Sequence, residues 1–335
     1  MPTISDVARE ARVGVGTVSR VLNGNPQVAP DTQRRVQAAM ERLRYQPNPV
    51  ARGLRTRRSH ILEAVVPLFT RHFYVEVLRG IEKGLADTDY GLITRSVDKQ
   101  VDRDRAFEGS GTRNYADGLL IVSLKPTDDF VERLRAASCP VMLVDADYDG
   151  LSGVTVDHAA AATLAVRHLL ELGHRRIALI DHRDDPFTTA YSGGRHAGYR
   201  QALAVAGLPL RPEFELITEF SPEAGAAALR TLLALPESPT AILAGSDSQA
   251  AGVLQSARQL GRRVPEDLSI VGYNDIEFAE YLGLTTVRVP MYEMGRRGIE
   301  MLLGILDAQQ KAITQERLPA SLVVRATTGP AIAEG

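Results

Sequence analysis

The sequence predicts a small all-α head followed by an α/β body built from two doubly wound parallel sheets. Three observations carry this. The first 58 residues hold eleven Arg, no Lys and four acids, whereas the rest of the 335-residue chain holds 28 basic and 37 acidic side chains. Within that basic head, apolar residues recur at helical spacing in three short runs broken by turn residues. Beyond it, two successive series of apolar strands alternate with helical segments, the pattern of parallel sheets clothed by helices. At ~150 residues per domain the length allows two or three domains. A content of 44% hydrophobic and 24% charged residues excludes a disordered chain, a collagen and a coiled-coil rod.

The head starts with Thr3 as an N-cap and Asp6 three residues later, a capping-box pattern, followed by the apolar stripe Val7, Ala8 and Ala11. Arg12-Val13-Gly14 is a turn. A second helix is expected over Thr17 to Leu22, with Val18, Val21 and Leu22 inward and Val15, Gly16, Thr17, Ser19 and Arg20 outward. Asn23-Gly24-Asn25-Pro26 closes it, and Pro30 opens a third helix running to about Arg44 with Val36, Met40 and Leu43 on one face. Helix, tight turn and helix is the outline of a helix-turn-helix. Hydroxyls suit phosphates and base edges, and an Arg suits the two acceptors of guanine. A three-helix domain without a ligand has the same periodicity.

Pro47-Asn48-Pro49 breaks the chain. Asn48 can cap the stretch from Val50 to about Arg55, which is under two turns and unstable as an isolated helix. By itself this reads as a linker.

In the body, Ile61 to Leu68, Gly91 to Val97, Gly118 to Ser123 and Val141 to Asp145 read as buried strands, with helices over Phe73 to Asp87 and Asp128 to Ala137. A second strand series covers Ile177 to Asp181, Leu216 to Thr218, Ala241 to Gly245 and Ile270 to Gly272. Asp157 caps a long helix that stops at Gly173. Ligands of such sheets sit beyond the carboxyl ends of the strands. The expected organisation is a head at 1–46, a hinge at 47–59 and a body at 60–330. The body divides into one subdomain of 60–157 plus 288–317 and another of 158–287 plus 318–330.

Other chemistry finds little support. The sequence has no phosphate-binding Gly-rich loop, no nucleophile elbow and no zinc spacing, so neither cofactor, metal nor catalysis is expected. Asp184-Asp185 reads as a solvated loop and His174 as part of a Leu-Gly-His turn. The one cysteine, Cys139, fits a reducing compartment. Apolar runs such as Gly118 to Val122 are far short of a bilayer span, and Asp6, Arg9 and Glu10 interrupt any secretory signal. The expected location is the cytoplasm.

Three segments of the head are specific. Thr3 to Ala8, Gly16 to Asn23 and Tyr45 to Leu54 closely resemble LacI/GalR-family transcription regulators in order and spacing. The body resembles that family's sensor module, of periplasmic-binding-protein type I fold, at Arg79 to Glu82, Leu172 to Ala178, Arg195 to Tyr199, Val264 to Asp275 and Leu284 to Val287. The resemblance is weakest over Val101 to Ala116.

It implies a homodimeric repressor reading a near-palindromic operator. Val15, Gly16 and Arg20 would read bases, and Thr3, Thr17, Ser19 and Asn23 would hold the backbone. Asn48, Ala51, Arg52, Leu54 and Arg55 would form a hinge helix in the minor groove, with Leu54 as the wedge. It further implies a sugar-like effector in the cleft, contacted by Arg195 and Asn274, with Ser246, Asp247 and Asp275 nearby and Phe73 and Phe220 as walls. Three departures stand out: Gly16 lacks a side chain at a reading position, Ala29 replaces a common capping Ser, and Asn274 stands where Asp is frequent.

Pro290 to Gly295 is similar to the catabolite-control branch of the family, which implies a phosphorylated carrier protein as the alternative co-regulator. A cytoplasmic sugar-binding protein or enzyme that carries a basic head is the alternative of another class.

Overall fold

The computed structural model describes all residues except 1, 23–24, 46–57, 110–115, 138, 184–190, 308–312 and 332–335. The chain divides into two compact units, Met1–His60 and Ile61–Gly335.

The first unit holds three helices: α1 (Ile4–Glu10), α2 (Val15–Leu22) and α3 (Pro30–Leu43). Thr3 and Asp6 close a reciprocal capping box on α1. The α2 helix starts two residues before the expected Thr17, because the Gly14 carbonyl already accepts from the Thr17 and Val18 amides. Val7, Ala8, Ala11, Val18, Val36 and Ala39 form the small buried core, with Met40 and Leu43 at its margin. Pro30 opens α3 beneath Ala29, which supplies no side-chain cap, and Arg44 ends it in the left-handed region (φ 48°).

The second unit contains two six-stranded sheets. The first has strand order β11-β5-β4-β3-β1-β2 and is parallel throughout. Its strands are β1 (Ile61–Pro67), β2 (Gly91–Val97), β3 (Gly118–Val122), β4 (Val141–Val144), β5 (Ser152–Val156) and β11 (Gln315–Leu318). It carries helices α4 (His72–Leu85), α5 (Gln100–Gly109), α6 (Asp128–Ala137) and α12 (Met291–Leu306).

The second sheet has order β12-β10-β9-β8-β6-β7, with only β12 antiparallel. Its strands are β6 (Ile177–His182), β7 (Glu215–Thr218), β8 (Ala241–Ala244), β9 (Ser269–Asn274), β10 (Thr285–Arg288) and β12 (Ser321–Val323). Helices α7 (His158–Glu171), α8 (Tyr191–Val205), α9 (Pro222–Leu233), α10 (Asp247–Gln259) and the short α11 (Phe278–Tyr281) go with it. The chain passes between the sheets after β5, after β10 and after β11, so each subdomain is assembled from discontinuous segments.

The central strands are nearly continuous apolar runs, as sheets covered on both faces require. The described start of the segment with the weakest resemblance lies in α5, where Ala106 and Phe107 are buried and Phe107 stacks on Phe130 at 3.8 Å between centroids. His174 is structural: its ring bonds Thr240 at 2.9 Å on one side, and Ser269 (2.9 Å) and the Gly329 carbonyl (3.1 Å) on the other. Burial holds its pKa below the usual histidine value, against the raising effect of the Gly329 contact. Among the described residues no helix is long and apolar enough to cross a membrane.

Candidate nucleic-acid interface and ligand cleft

In the head, Val15, Gly16 and Arg20 are all exposed along one helix, while Thr17 and Ser19 are half-buried beside them. A Cβ on Gly16 would meet nothing within 4 Å, so that surface is open to close approach. Thr3 is exposed, but its hydroxyl is already engaged: it donates to Asp6 at 2.7 Å. Asn23, Asn48, Ala51, Arg52, Leu54 and Arg55 lie outside the described residues.

In the body, a cleft of about 440 Å³ is lined by Arg71, Phe73, Tyr74, Asp145, His158, His182, Arg195, Phe220, Gly245 and Asn274. One wall comes from the start of α4 and the residue after β4, the other from the ends of β6, β8 and β9 and the loop after β7, so the cleft lies between the two sheets.

Arg195 forms its floor. Its Nε donates to Asp181 Oδ2 at 2.9 Å and its Nη2 to Oδ1 at 2.8 Å, with both side chains buried. Burial alone would raise the Asp181 carboxyl, but Arg195 and the neighbouring His182 hold it well below the usual carboxylate range. Gly245 is required beside this pair, since a Cβ there would lie 2.2 Å from Asp181 Oδ1. The Arg195 guanidinium also sits 5.3 Å from the centre of the Tyr273 ring.

His158 bridges the two walls. Its Nε2 faces Asp145 at 3.2 Å and its Nδ1 faces the Tyr273 hydroxyl at 2.9 Å. A carboxylate opposite favours a donor at Nε2, and the tyrosine hydroxyl is able to donate to or accept from Nδ1. Asn274 enters the cleft from strained backbone, with φ 104° at Asn274 and 57° at Asp275.

Of the residues expected here, Phe73, Arg195, Phe220 and Asn274 are brought together. The structure does not bring Ser246, Asp247 or Asp275 to the lining. Ser246 is the N-cap of α10 and accepts from the Gln249 amide at 3.2 Å. Asp247 is buried behind the strained loop, accepting from the Ile276 amide (2.8 Å) and the Thr286 hydroxyl (2.6 Å). Asp275 is held between Arg288 (2.6 Å) and Arg325 (2.8 Å). An acid beside a strand end signals proximity to a cleft but not the direction of its side chain. Arg71, Tyr74, Asp145, His158 and His182 were not anticipated. Asp145 directly follows β4 and His182 ends β6, and that position was the available signal.

Residues 3–48 match the family described as bacterial regulatory proteins, lacI family, and residues 166–328 match the periplasmic binding protein-like domain. The catabolite control protein A of Priestia megaterium is 34% identical over 331 residues, covering 97% of this chain and 99% of its own. The HTH-type transcriptional repressor CytR of Escherichia coli (strain K12) is 32% identical, covering 97% and 96%. The lac repressor dimer bound to operator and the anti-inducer ONPF superposes with a TM-score of 0.88 at 28% identity, covering 98% and 99%. A transcriptional regulator CelR–cellobiose complex does so with a TM-score of 0.71 at 31% identity, covering 98% and 100%. With such matches running the length of the chain, and the helix-turn-helix and two-sheet body both in place, the chain belongs to the lacI family of bacterial regulatory proteins.

Proposed function

We propose that the chain is a sequence-specific, homodimeric transcriptional repressor whose hold on a near-palindromic operator is set by a small metabolite in the cleft. The observation that carries this is the pairing of an exposed reading face, Val15, Gly16 and Arg20, with a polar and aromatic cleft built by both subdomains. Two copies of the head read two half-sites, since protein symmetry is mirrored in operator symmetry. Asn48, Ala51, Arg52, Leu54 and Arg55 act as the hinge that pairs on DNA. A ligand shifts the balance only by its differential affinity for the competent and incompetent states.

Relatives support each half. The lac repressor structure holds operator, and regulators with the same body fold hold cellobiose or ribose. The reading favours a small molecule over a carrier protein, because Met291, Met294 and Gly295 of the segment that suggests the latter are buried in the packed face of α12. The matched relatives are transcription regulators, and no enzyme family is indicated.

The test is selection of bound duplexes from a random pool by the purified chain, with and without sugars and sugar phosphates. Enrichment of a near-palindromic site whose retention changes with one compound is the expected result. Uniform retention of all duplexes overturns the reading.

A further inference from the structure

Of the two arginines that line the cleft, one is ion-paired and, among the described residues, the other is not. Asp145 faces the His158 ring at 3.2 Å, and Asp181 neutralises Arg195 through two hydrogen bonds. Arg71 is the lining cation left over: among the described residues it has no carboxylate partner, and its guanidinium rests instead on the Phe220 ring, 4.6 Å from the centroid. His182 meets that ring edge-on at 4.9 Å. The contact spans the cleft, because Arg71 precedes α4 in one subdomain and Phe220 follows β7 in the other.

Arg71 also occupies the N-cap of α4, a position where Asp, Asn, Ser or Thr would normally satisfy the first helical amides. An arginine side chain only donates, so it cannot cap, and no side-chain cap is present. Phe73, on the same turn, brings an apolar face to the cleft.

We propose that the cleft selects a hydroxylated ring carrying one anionic substituent, a sugar phosphate or a sugar carboxylate, and that Arg71 is the residue that selects it. The inference rests on the cleft being the effector site. The anion pairs with the guanidinium, which Phe220 holds in place, because a charge-assisted fork of N–H groups matches the oxygens of either group. The apolar face of the ring lies against Phe73 and Phe220. Arg195, Asn274 and His158 meet the hydroxyls from the floor and sides. A neutral sugar makes the same contacts except the first.

The test is calorimetry of the full chain with a panel of neutral monosaccharides, each beside its monophosphate and its uronate, and with inorganic phosphate alone. For at least one sugar the anionic form is expected to bind about tenfold tighter or more. That margin disappears in Arg71→Asn, while the affinity for the neutral partner changes less than about twofold. Asn is a good N-cap, so lost binding in this variant is not lost folding. Phe220→Leu keeps the charge but removes the ring beneath the guanidinium, so it weakens both forms and the anionic form more. Phosphate and carboxylate arms separate the two chemistries. Equal affinity for neutral and anionic members, a margin that survives Arg71→Asn, or inorganic phosphate binding as tightly as any sugar phosphate overturns this inference alone. Silence across the whole panel overturns the effector reading of the cleft, and this inference with it.

Discussion

Gly80 on α4 lies so close to the carbonyl oxygen of Tyr292 on α12 that a Cβ added there would stand 1.9 Å from it. A helix pair packed backbone to backbone cannot shift without moving its ends, and the end of α4 carries Phe73 and Tyr74 into the cleft. Gly80→Ala is therefore expected to cost about 1–3 kcal/mol or more through overpacking. It should also weaken ligand binding without touching a cleft residue. Urea unfolding reads the first effect and calorimetry the second; wild-type stability in the variant rejects the close contact.

Asp181 supplies the second prediction. Its folded pKa is depressed, so the stability it contributes is fully present above the ordinary value of 3.8 and is lost as pH falls below it. Asp181→Asn leaves the Arg195 charge buried without its partner, a change that typically costs about 3–5 kcal/mol. At neutral pH the variant should be less stable by that order, and the gap should narrow as the wild type enters its acid limb. Denaturant midpoints measured down the acid range check this. A gap that stays constant with pH argues against the pair.

Asp247 should behave with the opposite sign. Burial pushes its carboxyl up to about 7, against the hydrogen bonds from Thr286 and Ile276 that favour the charged form. A raised folded pKa contributes stability that is complete below 3.8 and declines as pH rises from there through about 7. Asp247→Asn is isosteric and cannot ionise. Relative to wild type it should gain ground between about pH 5 and pH 8. Parallel unfolding curves for the two proteins at both pH values contradict a titrating Asp247.

Much of this architecture was legible because its signals are local. The capping pair Thr3 and Asp6, the apolar strand at Gly118 to Val122, and Asp157 heading α7 each announce themselves within a few residues. The strands β5, β10, β11 and β12 did not. Ser152-Gly153-Val154-Thr155-Val156 mixes small and hydroxyl residues, and β11 and β12 are short edge strands whose residues are exposed or half-buried. The cleft was only half legible for a related reason. Arg195 and Asn274 follow from resemblance, whereas Asp145, His158 and Tyr273 meet across 13 and 115 residues of separation. Arg71 carries no sequence signal as a ligand group; only the Phe220 ring beneath it shows where it points.

Arg20 decides the reading of the head. It is exposed on the same helix as Val15 and Gly16, and its only advantage over a generic cation is the fork that matches the two acceptors of guanine. Such a contact discriminates by about 1–3 kcal/mol, whereas a phosphate contact weakens every sequence equally when removed. Arg20→Ala should therefore lower affinity for the selected operator by roughly 5- to 150-fold and leave affinity for random duplex nearly unchanged. The salt dependence of operator binding should change little, because no released counterion is tied to a base contact. Fluorescence anisotropy on both duplexes over a range of salt concentrations gives all three quantities. Equal losses on operator and random DNA, with a shallower salt slope, would reassign Arg20 to the phosphate backbone and move the reading role to Val15 and the open surface at Gly16.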